Sequence, residues 1–238
     1  MRWALVTGTD HGIGLELARQ LLQRGYFVTA CRYNPAETQI DALCEAYPDR
    51  TLLLPLDVGS DESVQAMAAQ AMKRTPQLDV LINDAGILGD MAKTVGDALD
   101  FDEMLRVINV NALGALRVTN ALSGHLLRGE EKLIVNITSE AGSIQDCWRE
   151  GWFGYCMSKV ANNMQGALVQ NALKNRGVRV LQIHPGHVAT YMRGHLDTTA
   201  SVSPQSSAAG ILKIALDTPL PLSDRPLYLD YQGKELEY

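Results

Sequence analysis

A tyrosine and a lysine one helical turn apart form a pair that could move a proton. Tyr155 and Lys159 occupy positions i and i+4 of the segment YCMSK, so a helix places both side chains on one face. A free tyrosine has a pKa near ~10, which is too high for efficient proton transfer at neutral pH. A nearby ammonium favours the phenolate and lowers that pKa. The pair indicates acid–base chemistry, although the same spacing is common in ordinary surface pairs.

A glycine-rich loop near the start of the chain could bind a phosphate. The segment TGTDHGIG, residues 7–14, follows a short apolar run and opens an amphipathic stretch. In such a turn glycine lets backbone N–H groups approach a pyrophosphate, and the helix N-terminus adds partial positive charge. Leu15 stands where a P-loop would carry lysine, and the glycine spacing is GxxxGxG rather than GxGxxG. A turn without any ligand is the alternative interpretation.

The elements that must position these residues alternate along the chain. Strands are predicted at 3–6, 26–31, 51–56, 78–83, 133–138, 178–184 and 227–231, and helices at 15–24, 36–46, 62–73, 101–127, 155–175 and 204–216. Continuous apolar strands that alternate with helices imply a parallel sheet covered on both faces. The pattern predicts an α/β fold with a doubly wound sheet of about seven strands. No linker divides the pattern, so residues 1–238 are expected to form a single domain.

Composition narrows the classes of function. The chain has 238 residues, 46% of them hydrophobic, and a net charge of −6 without lysine or arginine runs, so neither nucleic acid nor membrane binding is expected. The four cysteines show no CxxC pair and no metal-ligand spacing, which is typical of a reducing compartment. No apolar run reaches the ~20 residues that span a bilayer, and no signal peptide is apparent. A cytoplasmic protein is expected.

Further motifs follow the glycine loop in a fixed order. They are Asp57-Val58, NDAG at 83–86, NVN at 109–111, NITS at 136–139, YCMSK at 155–159 and PGHVAT at 185–190. Together with TGTDHGIG they resemble, from end to end, the classical short-chain dehydrogenase/reductases, which have a Rossmann-type fold. The segments 138–144, 154–164, 203–212 and 231–235 are similar to one subgroup, the sniffer-type carbonyl reductases and C-factor-like proteins.

The resemblance implies a role for each catalytic side chain. Tyr155 would give a proton to a carbonyl or take one from an alcohol, and Lys159 would lower its pKa and bind the nicotinamide ribose. Ser139 would hold and polarise the substrate oxygen. Asn111 would bend its helix around a water that relays protons to Lys159. The alternative for Ser139 and Asn111 is ordinary hydrogen bonding at a strand end and within a helix.

The resemblance also implies a dinucleotide site. Its expected residues are Gly8, Asp10, His11, Gly12, Ile13 and Gly14 of the loop, Arg32, Asp57 and Val58 near the adenine, Asn83, Ala85 and Gly86 beside it, Tyr155 and Lys159, and Val188 and Thr190 at the carboxamide end. Two positions depart from the family pattern. His11 stands where a basic residue or serine is frequent, and Asp84 replaces the second asparagine of the turn.

The end of the second strand is expected to select the cofactor, because an acid there binds a ribose 2′-hydroxyl and an arginine accepts a 2′-phosphate. Arg32 stands at this position, and no acid follows it until Glu37. Against this, the carboxylate of Asp10 could lie near the same ribose and repel the phosphate, which His11 would partly offset. NADP is expected, with NAD as the alternative cofactor. A solvated strand-end charge is the other interpretation of Arg32.

The substrate side is less defined. Trp148, Trp152 and Phe153 could wall an apolar pocket, or they could pack a subunit interface or the core. His187 is expected to face the substrate. His184 and His187 lack a third ligand, so no metal is expected. The segment 190–202 is expected to be a mobile lid that excludes water.

Two classes of function fit these features. The first is an NADP(H)-dependent oxidoreductase acting on a small carbonyl or alcohol, and an intact Ser139, Tyr155 and Lys159 favours it. The second is a nucleotide-sensing or signalling protein of the C-factor type with little turnover, since a fold alone cannot separate the two. A sugar epimerase is a third and weaker option. By analogy, the segments 101–127 and 155–175 would pair in a homodimer or homotetramer.

Overall fold

The computed structural model describes residues 1–219 and 223–238. Its strands are β1 (Trp3–Thr7), β2 (Phe27–Arg32), β3 (Thr51–Pro55), β4 (Val80–Asn83), β5 (Leu133–Ile137), β6 (Arg179–His184) and β7 (Leu227–Asp230). In the described residues all of them are parallel neighbours in one sheet, in the order β3-β2-β1-β4-β5-β6-β7. The seven predicted strands are confirmed, each with bounds within two residues of the expected ones.

Helices connect the strands. They are α1 (Gly12–Gln23), α2 (Gln39–Ala46), α3 (Asp61–Arg74), α4 (Phe101–Ile108), α5 (Gly114–Leu126), α6 (Phe153–Leu173) and α7 (Pro204–Leu212). Ser60, Asp100 and Ser203 cap α3, α4 and α7 by accepting a backbone N–H from the first turn. The stretch 101–127, expected as one helix, is divided by a π-helical turn at Asn109–Leu113. Among the described helices, none has the length and apolarity needed to cross a bilayer.

The core lies on both faces of the sheet, because successive side chains of a strand point to opposite sides. Val6 packs under α1, α2 and α7, whereas its neighbour Leu5 packs under α3, α5 and α6. A strand buried on both faces needs apolar residues at every position, which explains the continuous apolar runs of the sequence. The predicted doubly wound α/β fold is confirmed.

The strand order reverses at β1, which lies between β2 and β4. Such a switch point opens a crevice at the carboxyl ends of the strands, where open α/β sheets bind ligands. Two segments meet at this crevice. The hydroxyl of Thr7 accepts the backbone N–H groups of Asp84 and Ala85 at 3.0 and 3.1 Å, and a Cβ on Gly8 would lie 2.9 Å from the Cα of Ala85. The glycine loop and the turn after β4 are therefore closely joined.

Two helical glycines give a test of the packing. A Cβ at Gly210 in α7 would lie 2.1 Å from the backbone oxygen of Tyr231, so Gly210→Ala should destabilise the protein by ~1–3 kcal/mol. Gly124 in α5 has open space around it, so Gly124→Ala should stabilise by ~0.5–1 kcal/mol. Urea unfolding of both variants measures the difference. A Gly210→Ala protein as stable as Gly124→Ala would contradict this packing.

Candidate active site

Helix α6 and the end of β5 bring the predicted proton-transfer residues together. Tyr155 and Lys159 lie on one buried face of α6, and the Lys159 Nζ lies 5.5 Å from the centroid of the Tyr155 ring. Nζ donates a hydrogen bond to the carbonyl oxygen of Ile137, the last residue of β5, at 3.1 Å. Ser139 follows two residues later, is also buried, and interacts with the Tyr155 hydroxyl. The surface-pair interpretation of Tyr155 and Lys159 is therefore wrong.

The electrostatics of Tyr155 differ from the expectation. Burial raises the pKa of Tyr155 to about 12; the Ser139 hydroxyl opposes this shift and the Glu140 carboxylate adds to it. Burial likewise lowers the pKa of Lys159 to about 8, against the attraction of the Asp84 carboxylate. The spacing of the two residues places an ammonium near the phenol, but both groups also lose hydration on burial, which disfavours the charged form of each. Desolvation dominates at both side chains.

Asn111 occupies the π-helical turn between α4 and α5. Its amide oxygen accepts the backbone N–H of Ile87 at 2.8 Å, and its Nδ2 donates to the Ile87 carbonyl at 2.8 Å and to the Ser158 hydroxyl at 2.9 Å. The extra residue of a π-turn aims this side chain at the segment after β4, and such turns are frequent at functional sites. The described contacts connect Asn111 to α6 through Ser158. A water relay to Lys159 stays a prediction.

The glycine loop has little room for side chains. Gly8 and Gly12 adopt φ of +72° and +64°, which L side chains rarely adopt, and a Cβ at Gly14 would lie 2.3 Å from the Gly8 oxygen. Helix α1 begins at Gly12, so Gly12, Ile13 and Gly14 provide the first-turn N–H groups of that helix. Glycines at a helix N-terminus place no side chain of their own over the backbone amides, which fits the pyrophosphate of a dinucleotide.

Asp10 and Arg32 have partners that sequence reasoning missed. The buried Asp10 carboxylate accepts the backbone N–H groups of Tyr33, at 3.0 and 3.1 Å, and of Asn34, at 2.6 Å. It therefore organises the segment after β2, where Arg32 ends the strand. The Arg32 guanidinium donates to the Asp41 carboxylate at 2.9 and 3.1 Å. Arg32 is thus paired and not merely solvated, because α2 brings an acid to it from nine residues along the chain, and its role towards a cofactor stays a prediction.

The expected adenine-side residues make internal contacts. Asp57 accepts the N–H of Gly59 at 2.8 Å, and Val58 packs against Gly114, the first residue of α5. The Asn83 amide donates to Asn136 at the end of β5, at 2.9 Å, while its oxygen is buried without a hydrogen-bond partner. Asn83 thus joins the carboxyl ends of β4 and β5. These contacts define the floor of the crevice.

The segment after β6 lies over the glycine loop. The Tyr191 ring is 5.9 Å from the His11 ring, and Thr190 is 3.3 Å from a Cβ built on Gly12. Met192 lies 3.6 Å from a Cβ built on Gly86. A parallel β-bridge between Val188 and Val202 brings the two ends of this segment together. The sequence-predicted lid therefore covers both halves of the crevice.

His187 lies within this covering segment. Its Nε2 is 2.9 Å from the buried Asp197 carboxylate, whose other oxygen accepts the backbone N–H of Thr199 at 3.0 Å and the Thr199 hydroxyl at 2.6 Å. The Nδ1 atom of His184 is buried and has no hydrogen-bond partner. In residues 1–219 and 223–238, no group of three metal-ligating side chains is found. His187 is thus engaged with its own segment, and contact with a substrate stays a prediction.

The aromatic segment before α6 packs beside Tyr155. The Trp152 ring meets the Tyr155 ring edge-on at 6.2 Å. The Arg149 guanidinium lies over the rings of Trp148 and Trp152, at 4.5 and 4.7 Å, and makes a bidentate ion pair with Glu140. These contacts place Trp152 next to the candidate catalytic tyrosine, while Trp148 is largely exposed.

Comparisons with known proteins agree with this geometry. Residues 2–201 match a family model described as short chain dehydrogenase. A 1-hydroxy-2-glutathionyl-2-methyl-3-butene dehydrogenase of Rhodococcus sp. (strain AD45) is 35% identical over 215 residues, 90% of either chain. The C-signal of Myxococcus xanthus is 35% identical over 164 residues, 69% of this chain and 95% of the relative. The NADPH-bound carbonyl reductase from chicken fatty liver is 30% identical, with a TM-score of 0.89, covering 100% of this chain and 99% of its own.

The contacts of Asp10 predict a structural cost when its carboxylate is removed. Asp10→Ala leaves the N–H groups of Tyr33 and Asn34 without their acceptor, so we expect a loss of ~1.5–3 kcal/mol in the free energy of unfolding. Asp49→Ala, at an exposed position, is the matched control, with a change within ~0.5 kcal/mol. Denaturant unfolding measures both. Equal stability of the two variants would show that Asp10 does not organise the segment after β2.

Proposed function

The chain belongs to the short-chain dehydrogenase family, and we propose that it is an NADP(H)-dependent reductase or dehydrogenase of a small carbonyl or alcohol, with Tyr155 as the general acid and base. One observation carries this proposal. The side chains of Ser139, Tyr155 and Lys159 converge in a buried site at the carboxyl edge of the sheet, beside the strand-order switch point. A protein without turnover has no need of a proton donor at this place.

The proposed proton transfer uses the chain's own groups. The Ser139 hydroxyl would hold the substrate oxygen, and Tyr155 would give its phenolic proton to that oxygen as the adjacent carbon gains a hydride. NADP(H), when bound, supplies or accepts the hydride. The Lys159 ammonium would stabilise the phenolate left on Tyr155, because it lies 5.5 Å from the ring in a site of low hydration. Oxidation of an alcohol is the same step in reverse, with the Tyr155 phenolate as base.

The cofactor assignment rests on the loop and on the end of β2. The N–H groups at the start of α1 would bind the pyrophosphate, and Arg32 would bind the ribose 2′-phosphate. The Asp10 carboxylate, which sequence reasoning placed against that phosphate, instead accepts two backbone N–H groups. The chicken relative is described as NADPH-bound, which supports the same assignment here. Asp57 and Val58 on the adenine side, and Val188 and Thr190 on the carboxamide side, complete the proposed site.

A signalling protein of the C-factor type is the second candidate, because the C-signal of Myxococcus xanthus matches two thirds of the chain. NADPH oxidation with a panel of aldehydes, ketones and diketones separates the two. Turnover of one class of carbonyl supports the enzyme. Tight NADPH binding without oxidation by any member of the panel would favour the signalling protein.

Other properties follow from the same proposal. Exposed apolar side chains support a homodimer or homotetramer; they include Leu113 of the π-helical turn, Leu116 of α5, and Met164 and Leu168 of α6. The four cysteines carry free thiols, which fits a reducing cytoplasm. We propose that residues 1–238 act as one domain.

Removal of the phenolic hydroxyl tests the proton donor. Tyr155→Phe keeps the ring that packs against Trp152 and deletes the proton, so turnover should fall at least ~100-fold while NADPH binding is retained. Tyr47→Phe, at the end of α2, is the matched control and should keep wild-type turnover. Steady-state kinetics and a fluorescence titration with NADPH measure the two quantities. Near-normal turnover of Tyr155→Phe would exclude Tyr155 as the acid.

The Arg32–Asp41 pair gives a test of cofactor choice. Arg32→Asp should shift the ratio of kcat/KM from NADPH towards NADH, because a carboxylate repels the 2′-phosphate. Asp41→Asn removes the acid that holds the guanidinium, so it should lower KM for NADPH and leave KM for NADH unchanged. A wild-type protein that prefers NADH would contradict the assignment of Arg32.

A further inference from the structure

Asp84 is a carboxylate that the proposed chemistry does not use, although it lies at the centre of the crevice. It directly follows β4, and its backbone N–H donates to Thr7 at the end of β1. Its side chain lies against Gly14 in the first turn of α1: a Cβ built on Gly14 would lie 2.7 Å from its Oδ2, and the Gly14 N–H lowers the pKa of the carboxyl. A negative charge therefore stands under the same helix N-terminus that would receive a pyrophosphate.

Lys159 of α6 approaches Asp84 at the carboxyl ends of β4 and β5: its Nζ donates to the Ile137 carbonyl at 3.1 Å, and the pairing of Asn83 with Asn136 places Asp84 beside Ile137. The attraction is mutual: each group shifts the pKa of the other towards its charged form. The other groups around Asp84 are not charged partners: Gly14 contributes a backbone N–H from α1 and Thr7 a hydroxyl from β1. In the glycine loop, the Asp10 carboxylate is engaged by backbone N–H groups after β2, and His11 packs against Tyr191. Among the described groups around Asp84, Lys159 is thus the one of opposite charge, and it also lowers the pKa of His184.

Both members of this pair lose hydration. Burial raises the pKa of Asp84 to about 7, and burial lowers the pKa of Lys159 to about 8. Both groups therefore gain or lose a proton close to neutral pH. In this range the charge state of each group depends on that of the other. An asparagine, which the family pattern has here, would offer Gly14 the same acceptor without the charge.

We propose that Asp84 is a positioning residue that keeps Lys159 in its ammonium form and, in return, weakens the binding of the cofactor's phosphates at the start of α1. The first effect acts through attraction across the crevice, and the second through repulsion at the helix N-terminus. The inference rests on the proposed function, since it assigns the phosphates to α1 and the ammonium to proton transfer.

The two effects predict opposite changes in one variant. Asp84→Asn removes the charge at constant shape, so at pH 8 the dissociation constant of NADPH should fall about 3- to 10-fold. Turnover at pH 8 should fall in the same variant. Without the Asp84 charge, Lys159 loses its proton more readily, so the pH above which turnover declines moves to a lower value. A merely structural defect would instead weaken binding and turnover together.

The matched control is Asp49→Asn, which makes the same change of net charge at an exposed position after α2. Fluorescence titration with NADPH between pH 6 and pH 8.5 gives the binding constants. In the wild type, binding should weaken as the pH rises through about 7 and Asp84 ionises; in Asp84→Asn this step should be absent, and in Asp49→Asn it should persist. Weaker NADPH binding by Asp84→Asn, or an identical pH dependence of all three proteins, would overturn the proposal.

A measurement without cofactor keeps this test separate from the proposed function. The raised pKa of Asp84 means that its ionisation costs stability as the pH rises from about 4 to about 7. The difference in Tm between Asp84→Asn and wild type should therefore widen over this range and stay constant above it. If the widening is found but no protein oxidises NADPH with any carbonyl, the buried and titrating Asp84 carboxylate stands and the oxidoreductase proposal fails. A constant difference in Tm would show that Asp84 does not change its charge in this range and would overturn the proposal.

Discussion

An ammonium buried beside the carboxyl edge of a parallel sheet is the constraint on which the candidate site depends. Lys159 has almost no contact with water, and the hydrogen bond that its Nζ makes with the Ile137 carbonyl replaces only part of its hydration. The Asp84 carboxylate, beside Ile137 at the end of the neighbouring strand, adds attraction that favours the ammonium. A hydrogen bond thus holds Lys159 of α6 at the carboxyl end of β5, and the turn after β4 brings Asp84 near it.

The reversal of strand order makes such a crevice available, and small residues keep it narrow. The loop after β1 and the turn after β4 approach so closely that a side chain on Gly8 or Gly14 would collide with backbone atoms. Thr7 ties the two segments together by accepting two N–H groups from the turn. The same closeness brings the Asp84 carboxylate to the first turn of α1, where we propose that the pyrophosphate binds. In the proposed site, phosphate binding and the charge of Asp84 are therefore coupled.

Periodicity and burial explain how much of this could be predicted from the sequence. Each strand is buried on both faces, so its continuous apolar run, such as that of β1, marks it directly. The spacing of Tyr155 and Lys159 predicts their common face because a helix is regular. The π-helical turn at Asn111 has no such signature, since its five residues look like part of one amphipathic helix. Contacts between distant segments, such as Asp41 with Arg32, depend on how α2 packs and escape any local pattern.

The two acids of the crevice show why residue type alone does not settle a role. Asp10 and Asp84 both stand where an anion is expected to bind, and either could be taken as repelling it. Two N–H groups of the segment after β2, those of Tyr33 and Asn34, donate to the Asp10 carboxylate, so its charge is used within the fold. Asp84 has the N–H of Gly14 and the buried Lys159 near its carboxylate, and we propose that its charge acts on the site. The role of such an acid depends on how many hydrogen-bond donors surround its carboxylate. Its distance in sequence from a glycine motif does not separate a structural acid from a functional one.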